Sequence, residues 1–161
     1  GLEQVVVVVG AHAKAVRDVL AGLPVEVVVN AAWAEGMSTS LREGVRVLRP
    51  EIGAALLVLA DQPALAPELI QALVDRYRAT DALIVAPFYE GQRGNPVLFD
   101  RALFPELQAV QGDRGGRRVI ARYQEQVERV TVEDVAVIAD IDTRQDYEKV
   151  QKADNDIRSL G

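Results

Sequence analysis

The carboxylate of Asp61, which follows the apolar run 54–60, is the first candidate for chemistry in this chain. A run of that length without a period of 2 or 3.6 is typical of a strand buried on both faces of a parallel sheet. Ligands of open α/β sheets bind beyond the carboxyl ends of the strands, where we expect Asp61 to lie. The alternative is that Asp61 only shapes the turn that leads to a helix beginning at Pro67.

A second pair of carboxylates, Asp140 and Asp142, follows the last predicted strand. In a parallel sheet this pair and Asp61 can reach the same crevice although they lie far apart in sequence. Carboxylates without His or Cys suit Mg²⁺, which takes one or two of them and completes its shell with water and phosphate oxygens. The alternative is that both residues are turn and helix-start acids beside Thr143.

Three glycine-containing segments at predicted turns supply further candidate binding groups. Residues 35–40 combine Gly36 with three hydroxyl side chains at a helix start, which suits the base or sugar of a nucleotide. Asn95 has an amide that can bind the polar edge of a ring. Residues 112–115 place the Arg114 guanidinium beside backbone N–H groups, which favours an anion. Each segment alone is weak evidence, because a lone glycine turn is usually only a turn, and it is their joint placement around one sheet edge that favours a site.

Composition limits the class of protein. The 161 residues, 49% hydrophobic and 26% charged, fit one globular domain, predicted over 1–152 with a polar tail at 153–161. The net charge of −6, with scattered Lys and Arg, argues against nucleic-acid and membrane partners. The absence of cysteine excludes disulfides and suits the cytoplasm. The single histidine, His12, excludes a multi-histidine metal centre, and no run approaches the ~18 apolar residues of a membrane span.

Strands alternate with helices along the first half of the chain. The predicted strands are 5–9, 25–29, 55–60 and 83–86, and the predicted helices are 13–21, 38–48 and 67–78. The second helix carries capping-box spacing at Ser40–Glu43, with Ser38 as the other candidate N-cap. This alternation predicts right-handed βαβ units and a mostly parallel sheet with helices on both faces.

The second half is less regular, and we expect it to form a lid or an acceptor pocket over the strand ends. Its predicted elements are a turn over 88–93, centred on 90–91, and strands at 96–99, 127–132 and 135–138. The predicted helices are 101–110, a helix that the 112–116 loop opens and that ends at 123, and 144–152.

Taken together, the motifs resemble those of the MobA-like nucleotidyltransferases, and within them the MocA-like molybdenum cofactor cytidylyltransferases. The matching stretches, in the expected order, are 33–41, 59–63, 94–99, 112–115 and 140–143. The resemblance implies a three-layer, Rossmann-like nucleotidyltransferase fold. It also implies Mg²⁺-dependent transfer of a nucleotidyl group from CTP to a phosphorylated acceptor such as molybdopterin, with release of pyrophosphate. A molybdoenzyme is the implied client.

The same resemblance implies roles for individual residues. Asp61 and Asp142 are the implied catalytic residues and magnesium ligands, with Asp140 as a further ligand. The implied nucleotide-binding residues are Gly36, Met37, Ser38 and Ser40, and the implied acceptor-binding residues are Asn95, Asp113 and Arg114. Asn95 replaces the histidine that is more often expected before this proline, which leaves the acceptor open.

The start of the chain departs from the family pattern. The family begins with a strand and a glycine-rich loop of the form Leu-Ala-Ala-Gly-x-Ser-x-Arg-Met-Gly, whereas this sequence begins at Gly1 and has Met37 as its only methionine. We therefore expect that these residues are not a complete translation product. Loss of one preorganised anion donor typically costs about 10²–10³ in rate, so we expect these 161 residues alone to be nearly inactive. The test is CTP turnover with and without the upstream segment.

Two alternatives remain open from the sequence. The first is guanylyl or adenylyl transfer to another phosphorylated acceptor, which a nucleotide panel distinguishes. The second is a non-catalytic module that binds or assembles a partner enzyme. Two strand-end acids that repel each other without a metal argue against the second alternative.

Overall fold

The computed structural model of the chain describes residues 2–62 and 65–133, apart from the side chain of Arg114. The predicted strand 135–138, the predicted helix 144–152, the tail 153–161 and the candidates Asp140 and Asp142 lie outside these residues. None of the helices in the described ranges is long and apolar enough to cross a membrane.

The described residues form an α/β fold, as the alternation of patterns predicts. The strands are β1 (Val6–Val9), β2 (Glu26–Val29), β3 (Ala54–Leu57), β4 (Ile84–Tyr89), β5 (Gln92–Arg93), β6 (Val97–Asp100) and β7 (Val127–Thr131). The helices are α1 (Ala13–Leu20), α2 (Met37–Arg46), α3 (Pro67–Ala79), α4 (Phe104–Ala109) and α5 (Arg117–Arg122).

Two sheets are present within the described ranges. Strands β1 and β2 pair in parallel, with Val7 opposite Val27, and α1 connects them. Their β-branched valines favour the extended backbone. The second sheet has the strand order β3-β6-β4-β5, with β7 also paired to β4. Strands β4 and β5 form an antiparallel hairpin where the sequence predicts only a turn; Glu90 and Gly91 have the positive φ values of a tight turn.

The chain divides into two compact units. Residues 2–55 and 99–127 form the first, in which α2 packs against β1 and α4. Its buried side chains include Val9, Val45, Leu107 and Val119. Residues 56–98 and 128–133 contribute to the second unit, in which α3 packs against β4.

Strand β3 is shorter and more exposed than the sequence predicts. The expectation of a strand at 55–60 buried on both faces is wrong, because β3 ends at Leu57, its residues are only partly buried and Val58 is 52% exposed. In the strand order of the described residues β3 lies at one end, and a strand with a neighbour on one side only is less covered. Asp61 therefore lies in a turn beyond the strand, where the Gln62 N–H donates to the Leu59 carbonyl at 3.3 Å.

Two helices also begin elsewhere than predicted. Helix α2 begins at Met37 with Gly36 as its N-cap, so neither Ser38 nor Ser40 caps it. The predicted helix 101–110 is a 3₁₀ turn, Arg101–Leu103, followed by α4. Asp100 accepts a hydrogen bond from the Ala102 N–H at 2.7 Å and so caps that turn. The Pro at 67, by contrast, begins α3 as predicted.

Leu73 gives a test of the second unit's packing. It is fully buried on α3 where this helix packs against β4. We expect Leu73→Ala to lower the free energy of unfolding by about 2–5 kcal/mol, measured by denaturant titration, because it leaves a cavity in a packed core. Leu57→Ala, at a partly buried position of β3, is the comparison and should cost less. An equal or larger loss at Leu57 would contradict this packing.

Candidate functional site

A buried hydrogen-bond network fixes the loop between β2 and α2. Asn30, 2% exposed, directly follows β2. Its amide nitrogen donates to Thr39 Oγ1 at 2.7 Å and to Ser40 Oγ at 3.0 Å, and its Oδ1 accepts from the Ala32 N–H at 2.9 Å. One side chain therefore connects the loop to the first turn of α2.

Thr39 completes this network from the helix side. Its hydroxyl lies 2.8 Å from the Gly36 carbonyl and 3.1 Å from the Ala32 carbonyl, either of which can accept its proton. Its backbone N–H also donates to the Gly36 carbonyl at 3.1 Å. A satisfied buried polar network of this kind rigidifies the segment that carries it.

The predicted nucleotide-binding residues differ in their accessibility. Met37 is 51% exposed, whereas Ser38 is 1% exposed. Ser40 is partly buried, and its hydroxyl accepts from Asn30. Met37 thus presents the accessible side chain of this segment, while Gly36 and Ser40 are partly buried and Ser38 is buried.

The structure brings Gly36 and Asp113 into contact. Gly36 has φ 112° and ψ 168°, a region that is essentially restricted to glycine. A Cβ at this position would lie 2.3 Å from Asp113 Oδ1 and 3.1 Å from both the carbonyl carbon and the oxygen of Gly112. The 3₁₀ turn Gly112–Arg114 therefore packs directly on the start of α2, and segments predicted for nucleotide and acceptor meet in one unit.

The contact of Asp113 with Gly36 places a carboxylate at the start of α2. A carboxylate at the first turn of a helix interacts favourably with the helix dipole. The same carboxylate opposes the close approach of a phosphate to Gly36. The start of α2 therefore suits the uncharged part of a ligand. One example is a ring whose N–H groups donate hydrogen bonds to the Asp113 carboxylate.

Asp61 lies in the second unit as an exposed side chain in the turn after β3. Among the described residues no hydrogen bond or ion pair engages its carboxylate, which leaves both oxygens accessible. Magnesium needs only one or two protein carboxylates, so an accessible Asp61 fits the chemistry of such a ligand. No group of three His, Cys, Asp or Glu side chains within 2–62 and 65–133 forms a complete metal site.

Asn95 also belongs to the second unit. It precedes Pro96 across a cis peptide bond and is partly buried. The neighbouring Gly94 N–H donates to the Pro87 carbonyl at 2.8 Å, which fixes the backbone before β6. Within the described part of the chain no hydrogen bond occupies the Asn95 amide, so it can contact a ligand.

Asn30 was missed as a site-forming residue in the sequence, and Thr39 was predicted only as one of three hydroxyl groups for a nucleotide. The signal for Asn30 was its position, because an amide that directly ends the valine-rich strand β2 must find polar partners where the backbone leaves the sheet. Nothing local to Thr39 indicated that its hydroxyl would accept from Asn30 rather than cap α2.

Relatives and solved structures resemble this chain over most of its length. Over 151 residues, 89% of this chain and 72% of the relative, it is 29% identical to a nicotine blue oxidoreductase of Paenarthrobacter nicotinovorans. The manganese complex of Rv0371c from Mycobacterium tuberculosis H37Rv superposes with a TM-score of 0.79 at 29% identity, over 93% of this chain and 78% of that one.

A more distant neighbour supports the fold alone. A nucleotidyl transferase of Methanothermobacter, Mth528, superposes with a TM-score of 0.79 at 20% identity, over 99% of this chain and 76% of that one. The chain thus has the Rossmann-like fold of the nucleotidyltransferases. The profile of the MobA-like NTP transferase domain matches residues 1–147, and the chain therefore belongs to that family.

Proposed function

We propose that the intact protein transfers a cytidylyl group from CTP to a phosphorylated acceptor such as molybdopterin and releases pyrophosphate. The observation that carries this proposal is the contact of the Asp113 carboxylate with Gly36 at the start of α2. A carboxylate there can accept hydrogen bonds from the amino group of cytosine or from the N–H edge of a pterin. Membership of an NTP transferase family supports nucleotidyl transfer as the reaction class.

The reaction needs no general base from the protein. The terminal phosphate of the acceptor is ionised near pH 7, so its oxygen can attack the α-phosphorus of the triphosphate directly. One P–O bond forms to the acceptor, and the bond between the α-phosphorus and the bridging oxygen breaks as pyrophosphate leaves. Positioning and charge neutralisation then account for catalysis.

Each candidate residue has a role in this scheme. Asp61, with Asp142 and Asp140, would bind Mg²⁺, which neutralises charge on the phosphate oxygens when it is bound. The similarity to Rv0371c, whose solved complex contains manganese, supports a divalent cation. Gly36, Met37, Ser38 and Ser40 would position the nucleotide. Asn95, Asp113 and Arg114 would orient the acceptor, and we propose that the product passes to a molybdoenzyme in the cytoplasm.

Pyrophosphate release from a nucleotide panel tests the proposal. The intact protein is incubated with molybdopterin and Mg²⁺ and with CTP, GTP, ATP or UTP in turn. We expect release to be at least about tenfold faster with CTP, a difference of about 1.4 kcal/mol in transition-state binding. Chelation with EDTA should stop release, and added Mg²⁺ or Mn²⁺ should restore it.

Each other result contradicts a defined part of the proposal. Faster release with GTP or ATP would assign the donor differently and favour guanylyl or adenylyl transfer. Release that persists in EDTA would contradict the metal assignment. Binding of nucleotide without any release would favour a non-catalytic module.

A further inference from the structure

Trp33 is the only tryptophan of the chain, and it is 50% exposed. It begins the 3₁₀ turn Trp33–Glu35, which immediately precedes Gly36 and α2. A tryptophan is highly buried on average, because its indole removes a large apolar area from water. The half-exposed indole of Trp33, next in sequence to the candidate binding segment, is therefore a candidate for contact with a ligand.

The backbone of Gly10 supports this indole. A Cβ at Gly10 would lie 2.5 Å from Trp33 Cβ and 2.8 Å from Cγ. Glycine is thus required at the end of β1 for Trp33 to take its position. The start of the side chain thus lies close to the Gly10 backbone, and half of the residue's surface remains accessible.

The turn that carries Trp33 is also fixed from within. The Glu35 N–H donates to the Ala32 carbonyl at 2.9 Å, and the Gly36 N–H donates to the Trp33 carbonyl at 3.3 Å. Ala32 is in turn connected to the buried Asn30 side chain. The indole is therefore presented by a rigid segment and needs little ordering when a ligand arrives.

A second accessible apolar side chain lies in the same segment. Met37, 51% exposed, lies on the other side of Gly36 in sequence, and a Cβ at Gly115 would lie 3.0 Å from its sulfur. Two exposed side chains, one aromatic and one thioether, thus lie before and after the glycine that contacts Asp113 in the sequence. Aromatic faces and methionine sulfur both favour contact with flat rings.

We propose that Trp33 stacks on the heteroaromatic ring of the small molecule that binds at Gly36, and so selects ligands that carry such a ring. The inference rests on the proposed function and adds the ring-binding residue to it. Asp113 would contact the polar edge of the ring, and Trp33 would contact its face. The ring belongs either to the nucleobase of the donor or to the acceptor.

Calorimetric titration of three probes tests this role. The probes are CTP, a pterin, and inorganic tripolyphosphate, which carries charge but no ring. Stacking between a base and an aromatic side chain is lost in Trp33→Ala, so we expect about 10- to 100-fold weaker binding of the ring-bearing probe. Trp33→Phe should retain most of the affinity, and tripolyphosphate should bind Trp33→Ala as it binds the unsubstituted protein.

Fluorescence and a control variant separate stacking from loss of structure. Because Trp33 is the only tryptophan, its quenching by the ring-bearing probe but not by tripolyphosphate reports contact with the ring. Val19→Ala, at an apolar position on α1 that is 80% exposed, is the control and should bind every probe normally. Weakening with CTP alone assigns the ring to the donor, and weakening with the pterin alone assigns it to the acceptor.

Three results would overturn the proposal. Unchanged affinity of Trp33→Ala for both ring-bearing probes would show that Trp33 does not stack on the ring. The proposed function would be unaffected by that result. Equal weakening of tripolyphosphate would show that the substitution damages the segment rather than a ring contact. Failure of the unsubstituted protein to bind any of the three probes would overturn this inference and count against the proposed function as well.

Discussion

Asp61→Asn is expected to lower turnover of the intact protein by about 10²–10³-fold, the usual cost of losing one preorganised electrostatic group. The substitution keeps the size of the side chain but removes its negative charge, which a hard cation requires. Because Asp61 is exposed and lies in a turn beyond β3, the thermal unfolding midpoint should not change. Initial rates of pyrophosphate release at saturating CTP and Mg²⁺ measure the effect.

The matched control for this variant is Asp81→Asn. Asp81 is also an exposed aspartate of the second unit, but it lies between α3 and β4 and has no role in the proposed site. We expect it to keep normal turnover. Normal turnover in Asp61→Asn would show that the metal assignment is wrong, and equal losses in both variants would point to a general effect of surface charge.

Part of the fold was predictable because it depends on local sequence pattern. Strand and helix signals placed β1, β2 and α3 within a few residues of their observed bounds. The apolar run before Asp61 indicated a strand that ends at a candidate carboxylate. The end of β3 at Leu57 was not predictable from that run. An apolar run shows only that its residues are hydrophobic, whereas the length of a strand also depends on the strands that pair with it.

The candidate residues of the first unit depend on contacts between segments far apart in sequence. Gly36 was predicted to bind the nucleotide and Asp113 to bind the acceptor, and nothing in the sequence indicated that the two residues are in contact. Only their packing shows that the glycine is required for lack of space as well as for its φ angle. The cap of α2 was predicted at a serine for a similar reason, because the sequence does not show that Asn30 already engages the hydroxyl groups of Thr39 and Ser40.

Gly36→Ala is the variant that tests this packing. Alanine would have to adopt a φ near 112°, which costs about 1–3 kcal/mol for a residue with a side chain. Its Cβ would also meet Asp113 Oδ1 and the Gly112 carbonyl, so the turn Gly112–Arg114 must move away from α2. We expect the affinity for CTP or a pterin, measured by calorimetry, to fall about 10- to 100-fold. The reason is that the displaced turn no longer holds the arrangement that binds the ligand.

Two further variants determine which contact causes the loss. Gly22→Ala has the same kind of strain, with φ 85°, but no atom within 4 Å of the added Cβ, so it should reduce stability without changing affinity. Gly36→Ala combined with Asp113→Ala removes the nearer obstacle, the carboxylate, and leaves the Gly112 backbone. Since backbone moves less readily than a side chain, and since Asp113→Ala also removes the proposed contact with the ring, we expect the double variant to recover little affinity. Full recovery would show that the carboxylate is only an obstacle and would contradict its proposed contact with the ring. Normal affinity in Gly36→Ala would show that the start of α2 does not belong to the site.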